Sequence, residues 1–334
     1  MDQKVNSEIL LEGKYTNIDE DNNWWIRSGT TQFKTVNENN TAAQNRFYLP
    51  ISYTDPYGAI TKVKYYSNYF LFIDENEDAL GNISGVISFN FRTLSPKMMK
   101  DINGNFSEVI CDELGFVKAV AVMGKGSEAD ELTGLSEITD TTELADILDF
   151  FDTSDSVQLT KKGKNLLGRA SSRFVYNFEA FTTSGKPAVI AAITREQHFH
   201  ELPDSPVQIS LEYSNGIGEV LMKKAQAEPG RAKQILINSD LTVTVSEINT
   251  DTLSPKQLRW IGNGRTIRNN KGKPVKQYEP YFSLTPHFDD YKELVETGVT
   301  PILYYDAAGR LTKTDMPDGT FSKVEFGFLE TNYL

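Results

Sequence analysis

A four-residue signal, Asp followed three places later by Gly, recurs through this chain between runs that alternate apolar and polar residues. It reads Asp55-Pro56-Tyr57-Gly58, Asp78-Ala79-Leu80-Gly81, Asp101-Ile102-Asn103-Gly104 and Asp112-Glu113-Leu114-Gly115. It returns within Tyr305-Asp306-Ala307-Ala308-Gly309-Arg310, and a shorter form, Pro317-Asp318-Gly319-Thr320, follows. From Asp to Asp the first steps are 23, 23 and 11 residues, and the last, Asp306 to Asp318, is 12. Asp bonds the backbone of its own turn and Gly supplies the positive φ of the exit, so each copy reads as a reversal between two strands. A spacing near 11, with 23 as its double, gives one strand pair per unit and predicts a repeat-built β protein.

Composition fits that reading. Among 334 residues there are 19 Phe, 15 Tyr and 3 Trp, and aromatic enrichment favours sheet. The net charge of −12 argues against nucleic acid and against an anionic membrane as partners, because both need a basic face. The single Cys111 excludes an internal disulfide framework and a cysteine-rich zinc site, and its place in an alternating run makes it a small buried residue. No run of 18 apolar residues is present, so no transmembrane helix is expected. The N-terminal stretch lacks a charged-then-apolar start, so export by a signal peptide is not expected.

The chain divides into four parts on its pattern. Residues 1–22 form an extension with an apolar hook, Ile9-Leu10-Leu11, and an acidic, Asn-rich stretch. Residues 23–125 are a first β segment, in which Thr61, Val63 and Tyr65, then Ile87, Phe89 and Phe91, alternate with polar residues. Residues 126–168 break the pattern and read as a polar insertion on the sheet surface. It carries one amphipathic helix over 142–151, capped by Thr141 or Thr142, between loop-like flanks 126–140 and 152–165. Residues 169–334 resume the β pattern, with strands around Phe174–Phe178, Val207–Tyr213, Leu241–Val245 and 321–328, a turn at Asn215-Gly216-Ile217-Gly218 and a second short helix over 289–296.

The last repeat unit is specific. Tyr304-Tyr305-Asp306-Ala307-Ala308-Gly309-Arg310-Leu311 resembles the YD repeat of the Rhs family. Around it, Arg259-Trp260-Ile261-Gly262-Asn263-Gly264-Arg265-Thr266 and residues 269–283 resemble the middle region of the B subunit of insecticidal Tc toxin complexes, relatives of the SpvB-type virulence proteins. Asn23-Trp24-Trp25-Ile26, Phe47-Tyr48-Leu49-Pro50, residues 188–197 and residues 224–230 carry the same likeness. The resemblance implies a mainly β fold, a curved antiparallel sheet of Rhs/YD-repeat hairpins forming part of a hollow β-shell, with one or two short inserted helices. It implies a secreted, non-enzymatic structural module. Its partners would be the remaining shell of the B and C subunits and an enclosed toxin segment, with self-association through open edge strands. The chain departs from the family in extent. It carries no FG-GAP-type propeller repeats, no Asp-rich autoproteolysis region and no variable toxin domain. Docking on an A subunit, self-cleavage and cytotoxicity are therefore not carried over.

Other constellations read as structural. Asp74-Glu75-Asn76-Glu77-Asp78 alternates carboxylates, but Ala79 and Gly85 stand where a calcium loop needs Gly and Glu. His198-Phe199-His200-Glu201 offers two imidazoles from one strand face, with His287 or a distant carboxylate as the only third ligand, and reads as a solvated loop. Within the repeat, Tyr305 packs on the sheet, Asp306 caps the turn and Arg310 lies along the neighbouring strand. Gly262-Asn263-Gly264 and Gly216-Ile217-Gly218 lack the strand-to-helix context of a phosphate loop and read as turns or bulges. No catalytic residue, metal site or cofactor is assigned. The rival reading is an extracellular carbohydrate- or receptor-binding β module, with Trp24, Trp25 and Trp260 as an aromatic surface; a hydrolase built on a carboxylate pair ranks behind it.

Overall fold

The computed structural model describes residues 6–18, 23–327 and 331–333. They pack as two units, Met1–Val109 with Val122–Gly126, and Ile110–Ala121 with Ser127–Leu334.

The first unit opens with helix α1 (Ser7–Glu12) on the Ile9–Leu11 hook, capped by the Asn6 side chain. Strand β1 (Thr30–Gln32) and helix α2 (Asn40–Asn45) follow. An antiparallel meander then runs through β2 (Ser52–Thr54), β3 (Ile60–Tyr65), β4 (Ile73–Glu77), β5 (Ile83–Asn90), β6 (Ser95–Lys100) and β7 (Phe106–Cys111). Strand order equals chain order because the connections from β2 to β7 are short, four to seven residues, and place each strand alongside the last. Its fully buried apolar residues are few, Ala43 and Phe72. Phe72 stacks on Phe89 at 4.6 Å, and Phe91 and Tyr66 close the aromatic cluster.

The second unit has a thicker core. Its elements are β8 (Val117–Met123), α3 (Thr141–Asp152), α4 (Ser156–Leu167), β9 (Ser172–Asn177), α5 (Ala180–Ser184), β10 (Ala188–Arg195), β11 (Val207–Ser214), β12 (Val220–Ala227), β13 (Arg231–Ile237), β14 (Val243–Asn249), β15 (Arg259–Gly262), β16 (Thr266–Arg268), β17 (Pro274–Gln277), β18 (Tyr281–Ser283), α6 (Lys292–Val295), β19 (Ile302–Tyr305), β20 (Leu311–Asp315), β21 (Phe321–Phe326) and β22 (Thr331–Tyr333). The division between the units passes through β7 and β8. From β8 the large sheet runs β9, β10, β11, β12, β15, β18, β13, β14. Every neighbour is antiparallel except β13 and β18, which meet in parallel at Lys233 and Ser283. A smaller sheet holds β16, β17, β19, β20, β21 and β22.

Alternation decides which face of the large sheet is covered. Val189, Ala191 and Ile193 of β10, and Val207, Ile209, Leu211 and Tyr213 of β11, point to one side and are buried. Helices α3 and α4 cover that side. Ile147 and Phe150 of α3, and Leu159, Leu166 and Leu167 of α4, are buried in its cover. Full burial of each such side chain is worth roughly 1.5–3 kcal/mol.

The fold is mainly β and mostly antiparallel, as expected, and the helix over 142–151 is seen at Thr141–Asp152. Three expectations about the insertion are corrected. Residues 152–165 are not a loop, because α4 occupies most of them. The cap of α3 is Asp140, whose Oδ1 accepts from the N–H groups of Thr142 and Glu143 at 2.9 Å, and not Thr141 or Thr142. The insertion is also no surface ornament, since it supplies the apolar layer under which the second unit's sheet is buried. The helix expected over 289–296 spans Lys292–Val295. The last repeat strand covers Phe321–Phe326; Phe328 and the acidic stretch 19–22 lie outside the described residues.

Candidate functional site

The expected turn residues take a single conformation. In each, the first residue's N–H bonds the carbonyl of the fifth, and the N–H of the fourth bonds the carbonyl of the first. The pairs are Asp55→Ala59 with Gly58→Asp55, Asp78→Asn82 with Gly81→Asp78, Asp101→Asn105 with Gly104→Asp101, Asp112→Phe116 with Gly115→Asp112, and Asp306→Arg310 with Gly309→Asp306. The Asp Oδ1 accepts from two backbone N–H groups, at 2.8 Å from both Tyr57 and Ala59 in the first turn. Hydrogen bonds from the Asn82 side chain hold the Asp78 carboxyl below the usual range, and the backbone N–H groups of Asn105 and Arg310 do the same for Asp101 and Asp306. Gly stands at the fourth place with φ between 75° and 90° in these five turns.

The same closure appears at Asn215–Gly218, Asn238–Leu241, Asn269–Gly272 and Met316–Gly319. In the Asn215 and Asn269 turns the Asn Oδ1 accepts from two backbone N–H groups as Asp does elsewhere. Asn238 instead donates its amide to the Thr242 and Thr244 hydroxyls. Of these turns, the sequence pattern marks Asn215–Gly218 and the Asp318-Gly319 pair. In the last of these turns the first residue is Met316, so Asp318 stands third and not first. Its Oδ1 accepts from the N–H of Thr320 at 2.9 Å. In the YD unit, the Tyr305 hydroxyl donates to the Pro274 carbonyl at 2.8 Å. Arg310 Nε donates to Asp306 Oδ2 at 2.8 Å, and its guanidinium lies 4.3 Å from the Phe326 ring centroid.

The tryptophans do not share one environment. Trp25 is half exposed and exchanges backbone bonds with Thr16 at 2.7 and 2.9 Å, and Trp24 is partly buried. Trp260 is 0% exposed on β15, paired with Ser283 of β18, and so is no surface platform. The alternation Arg259, Trp260, Ile261, Gly262 places it on the packed face of the sheet. The carboxylates of Asp74, Glu75 and Glu77 lie on β4 and pair with Lys64 and Lys62 of β3. His198 Nδ1 lies 2.9 Å from Asp130 Oδ2, a buried carboxylate that also accepts from Ser171 Oγ and the Phe199 N–H. Gly264 has no room for a side chain against the Tyr278 carbonyl, so close packing explains it better than a turn.

Two polar clusters that no local pattern announces lie in the second unit. Glu143 of α3 joins Lys118 of β8 at 2.6 Å and Arg173 of β9. Burial pushes the Arg173 guanidinium down from its ordinary value, against the pull of Glu143. In the other cluster, Lys224 of β12, 0% exposed in its side chain, pairs with Asp289 at 2.5 Å. Its Nζ also donates to Ser283 Oγ at 2.8 Å and the Thr285 carbonyl at 2.9 Å. The Tyr281 hydroxyl donates to Asp289 at 2.7 Å, and Tyr213 donates to the Pro286 carbonyl at 2.8 Å. These bonds strap residues 284–289 across the sheet.

His287 sits on that strap, 2.8 Å from Ser154 Oγ in the α3–α4 connection. Burial and then Lys224 push its pKa down, while Asp289 and Asp152 pull it up less strongly. Since the folded value is the lower one, its contribution to stability is full above about pH 6.5 and is lost as pH falls from there through the folded value. The His287→Gln variant is expected to flatten the stability profile below about pH 6.5, measured by thermal melts at fixed ionic strength. An unchanged slope in that window removes His287 as its source.

No protein-family model matches this sequence, and no curated protein matches it. Solved structures do. The crystal structure of TcdB2–TccC3 is 20% identical with a TM-score of 0.66, over 97% of this chain and 15% of that one. TcdB2–TccC3 without its hypervariable C-terminal region gives 18% and 0.66, over 96% and 17%. The Photorhabdus luminescens Tc holotoxin pore gives 18% and 0.63, again over 96% and 17%. The resemblance read from the YD unit and residues 259–283 is thus met at the level of fold: nearly the whole chain is similar to one segment of these Tc toxin structures, and it spans 15–17% of their chains.

Proposed function

We propose that this chain is a non-enzymatic wall segment of an Rhs-type shell that encapsulates a toxin in a secreted Tc-like complex. The observation that carries this reading is the fold likeness over 97% of the chain to a segment of TcdB2–TccC3. The hairpin ladder supports it, because antiparallel strands linked by short turns extend a wall one strand at a time. The YD residues support it as well, since Asp306 and Arg310 close the turn while Tyr305 and Arg310 tie it to β17 and β21. In this reading β1 and β14, at the ends of their units' sheets, are the edges that receive neighbouring strands of the B and C subunits.

A chimera tests it. The matched segment of TcdB2 is replaced by this chain, and the product is combined with TccC3 carrying its hypervariable C-terminal region. The expected result is assembly, with that region shielded from trypsin. A chimera with native β-sheet circular dichroism that leaves the region as open to trypsin as free TccC3 does would sink the proposal.

A further inference from the structure

An Asn followed by Gly is a chemically labile pair, because no Cβ keeps the glycine nitrogen from reaching the asparagine side chain. This chain has three: Asn103-Gly104, Asn215-Gly216 and Asn263-Gly264. The fold treats them differently. Asn215 Oδ1 accepts from the N–H groups of Ile217 and Glu219 at 3.1 and 2.9 Å, and its Nδ2 donates to Glu219 at 3.0 Å. Asn263 Oδ1 accepts from the Lys223 N–H at 2.5 Å, and the glycine after it is buried against the Tyr278 carbonyl. Neither side chain can turn toward the next nitrogen without giving up those partners. Asn103 is exposed at the tip of the β6–β7 turn, and its side-chain amide makes no hydrogen bond among the described residues. Only its backbone is engaged: its N–H donates to Asp101 Oδ1 at 2.9 Å, and its carbonyl accepts from Lys125 Nζ at 2.7 Å.

Lys125 does more than tie the turn. The oxygen it bonds belongs to the peptide whose nitrogen would attack. Drawing electron density to that oxygen acidifies the Gly104 N–H, and a cation beside it favours the deprotonated form. A Cβ on Gly104 would stand 3.2 Å from Lys125 Nζ and 3.6 Å from Lys100 Cε, so two lysine side chains border this residue. Against reaction stands one backbone bond, from the Gly104 N–H to the Asp101 carbonyl at 3.0 Å, which must open first. It lies in a surface turn, where local opening is easier than in a strand.

We propose that Asn103 is a site of spontaneous covalent modification, converted by water to aspartate and isoaspartate, with Lys125 promoting the step. The Gly104 nitrogen bonds to Asn103 Cγ, the Cγ–Nδ2 bond breaks, and the Gly104 proton departs with Nδ2 as ammonia. Water then opens the cyclic imide at one of its two carbonyls. One opening leaves aspartate; the other routes the backbone through the side chain as isoaspartate. Both add a negative charge at the turn, and isoaspartate also adds a carbon to the backbone that the Asp101–Gly104 bond closes. The step needs water alone, and it does not depend on the shell reading.

Peptide mass spectrometry tests it. The folded full chain is aged in mildly alkaline buffer, beside the same chain in guanidinium chloride. Unfolded, the three pairs are expected to convert at similar rates. Folded, Asn103 is expected to convert at least about tenfold faster than Asn215 or Asn263. Fragment spectra separate Asn103 from Asn105, whose Nδ2 donates to Asp101 at 2.9 Å. Lys125→Met is expected to slow the folded reaction about threefold or more, and Lys125→Arg to restore it. The proposal is overturned if Asn103 stays intact in the folded chain while it converts in the unfolded one, if Asn215 or Asn263 keeps pace with it, or if Lys125→Met converts as fast as the wild type.

Discussion

Glu143→Ala is expected to lower the unfolding free energy by about 3–5 kcal/mol, the range for breaking a buried ion pair from one side. One carboxylate here serves two cations. Lys118 and Arg173 are 3% and 1% exposed in their side chains. Without Glu143, the hydrogen bonds that Lys118 retains are to the Ile138 carbonyl and the Thr139 hydroxyl, at 3.4 and 3.2 Å, and Arg173 retains the Lys118 carbonyl. Both charges then lose their direct ion-pair partner, with the Asp112 and Glu113 carboxylates offsetting them only at longer range. The loss also unfastens α3, since Glu143 is that helix's ionic tie to β8 and β9. Glu143→Gln retains an acceptor and is expected to cost less than Glu143→Ala. A fall in thermal midpoint is the readout, and an Ala variant within about 1 kcal/mol of wild type would show that the cluster rearranges or admits water.

Asp289→Ala is expected to act comparably on the other cluster, with a loss of about 3–5 kcal/mol. Lys224 is pushed down from its ordinary value by burial and held up by Asp289. Removing the carboxylate strands the ammonium and leaves the Tyr281 hydroxyl only the weak Met222 Sδ acceptor at 3.6 Å. The diagnostic variant neutralises both partners: Lys224→Met with Asp289→Leu is expected to recover most of the loss, because two apolar groups of similar size replace a pair whose desolvation nearly cancels its attraction. Amide hydrogen exchange over residues 284–289 separates local from global loss. Faster exchange there, with β10 and β11 unchanged, is expected for Asp289→Ala. A double variant as unstable as the single one would mean that packing, and not charge, is what the strap requires.

What could be read from the sequence was local. The Asp/Gly turns were legible because a side chain bonding its own backbone, and a Gly that frees φ, act within five residues. Helix α3 was legible because Leu144, Ile147, Leu148 and Phe151 recur at helical spacing. Helix α4 was not. Its apolar residues are sparse, and Gly163 inside it lowers helix propensity by about 1 kcal/mol. The structure gives the reason for that glycine: a Cβ there would stand 3.1 Å from Ile209 Cδ1, so the helix lies close on β11 only without one. Lys224 was equally hidden. It follows exposed Lys223, and only strand alternation sends one lysine into solvent and the next into the core, where the partner comes from a distant segment. Trp260 was misplaced as a surface ring, though a signal existed two residues on. Gly262 lies on the same face of β15, and a Cβ there would stand 2.8 Å from the Tyr281 ring, which marks that face as tightly filled.

The parallel meeting of β13 and β18 has a temporal consequence. In the large sheet, β15 and β18 lie between β12 and β13, yet both come later in the chain. The β13–β14 hairpin is therefore synthesised before the strand that receives it. Its place on the sheet exists only once Ser283 has been made, about fifty residues after β13 begins. The meander of the first unit adds strands in the order in which they are translated. This edge of the second unit cannot, and must close its longer loop before the contacts that reward closure are available. A chain emerging N-terminus first has made both strands of the β13–β14 hairpin before Tyr281–Ser283 exists, and this edge of the sheet closes only when that strand returns.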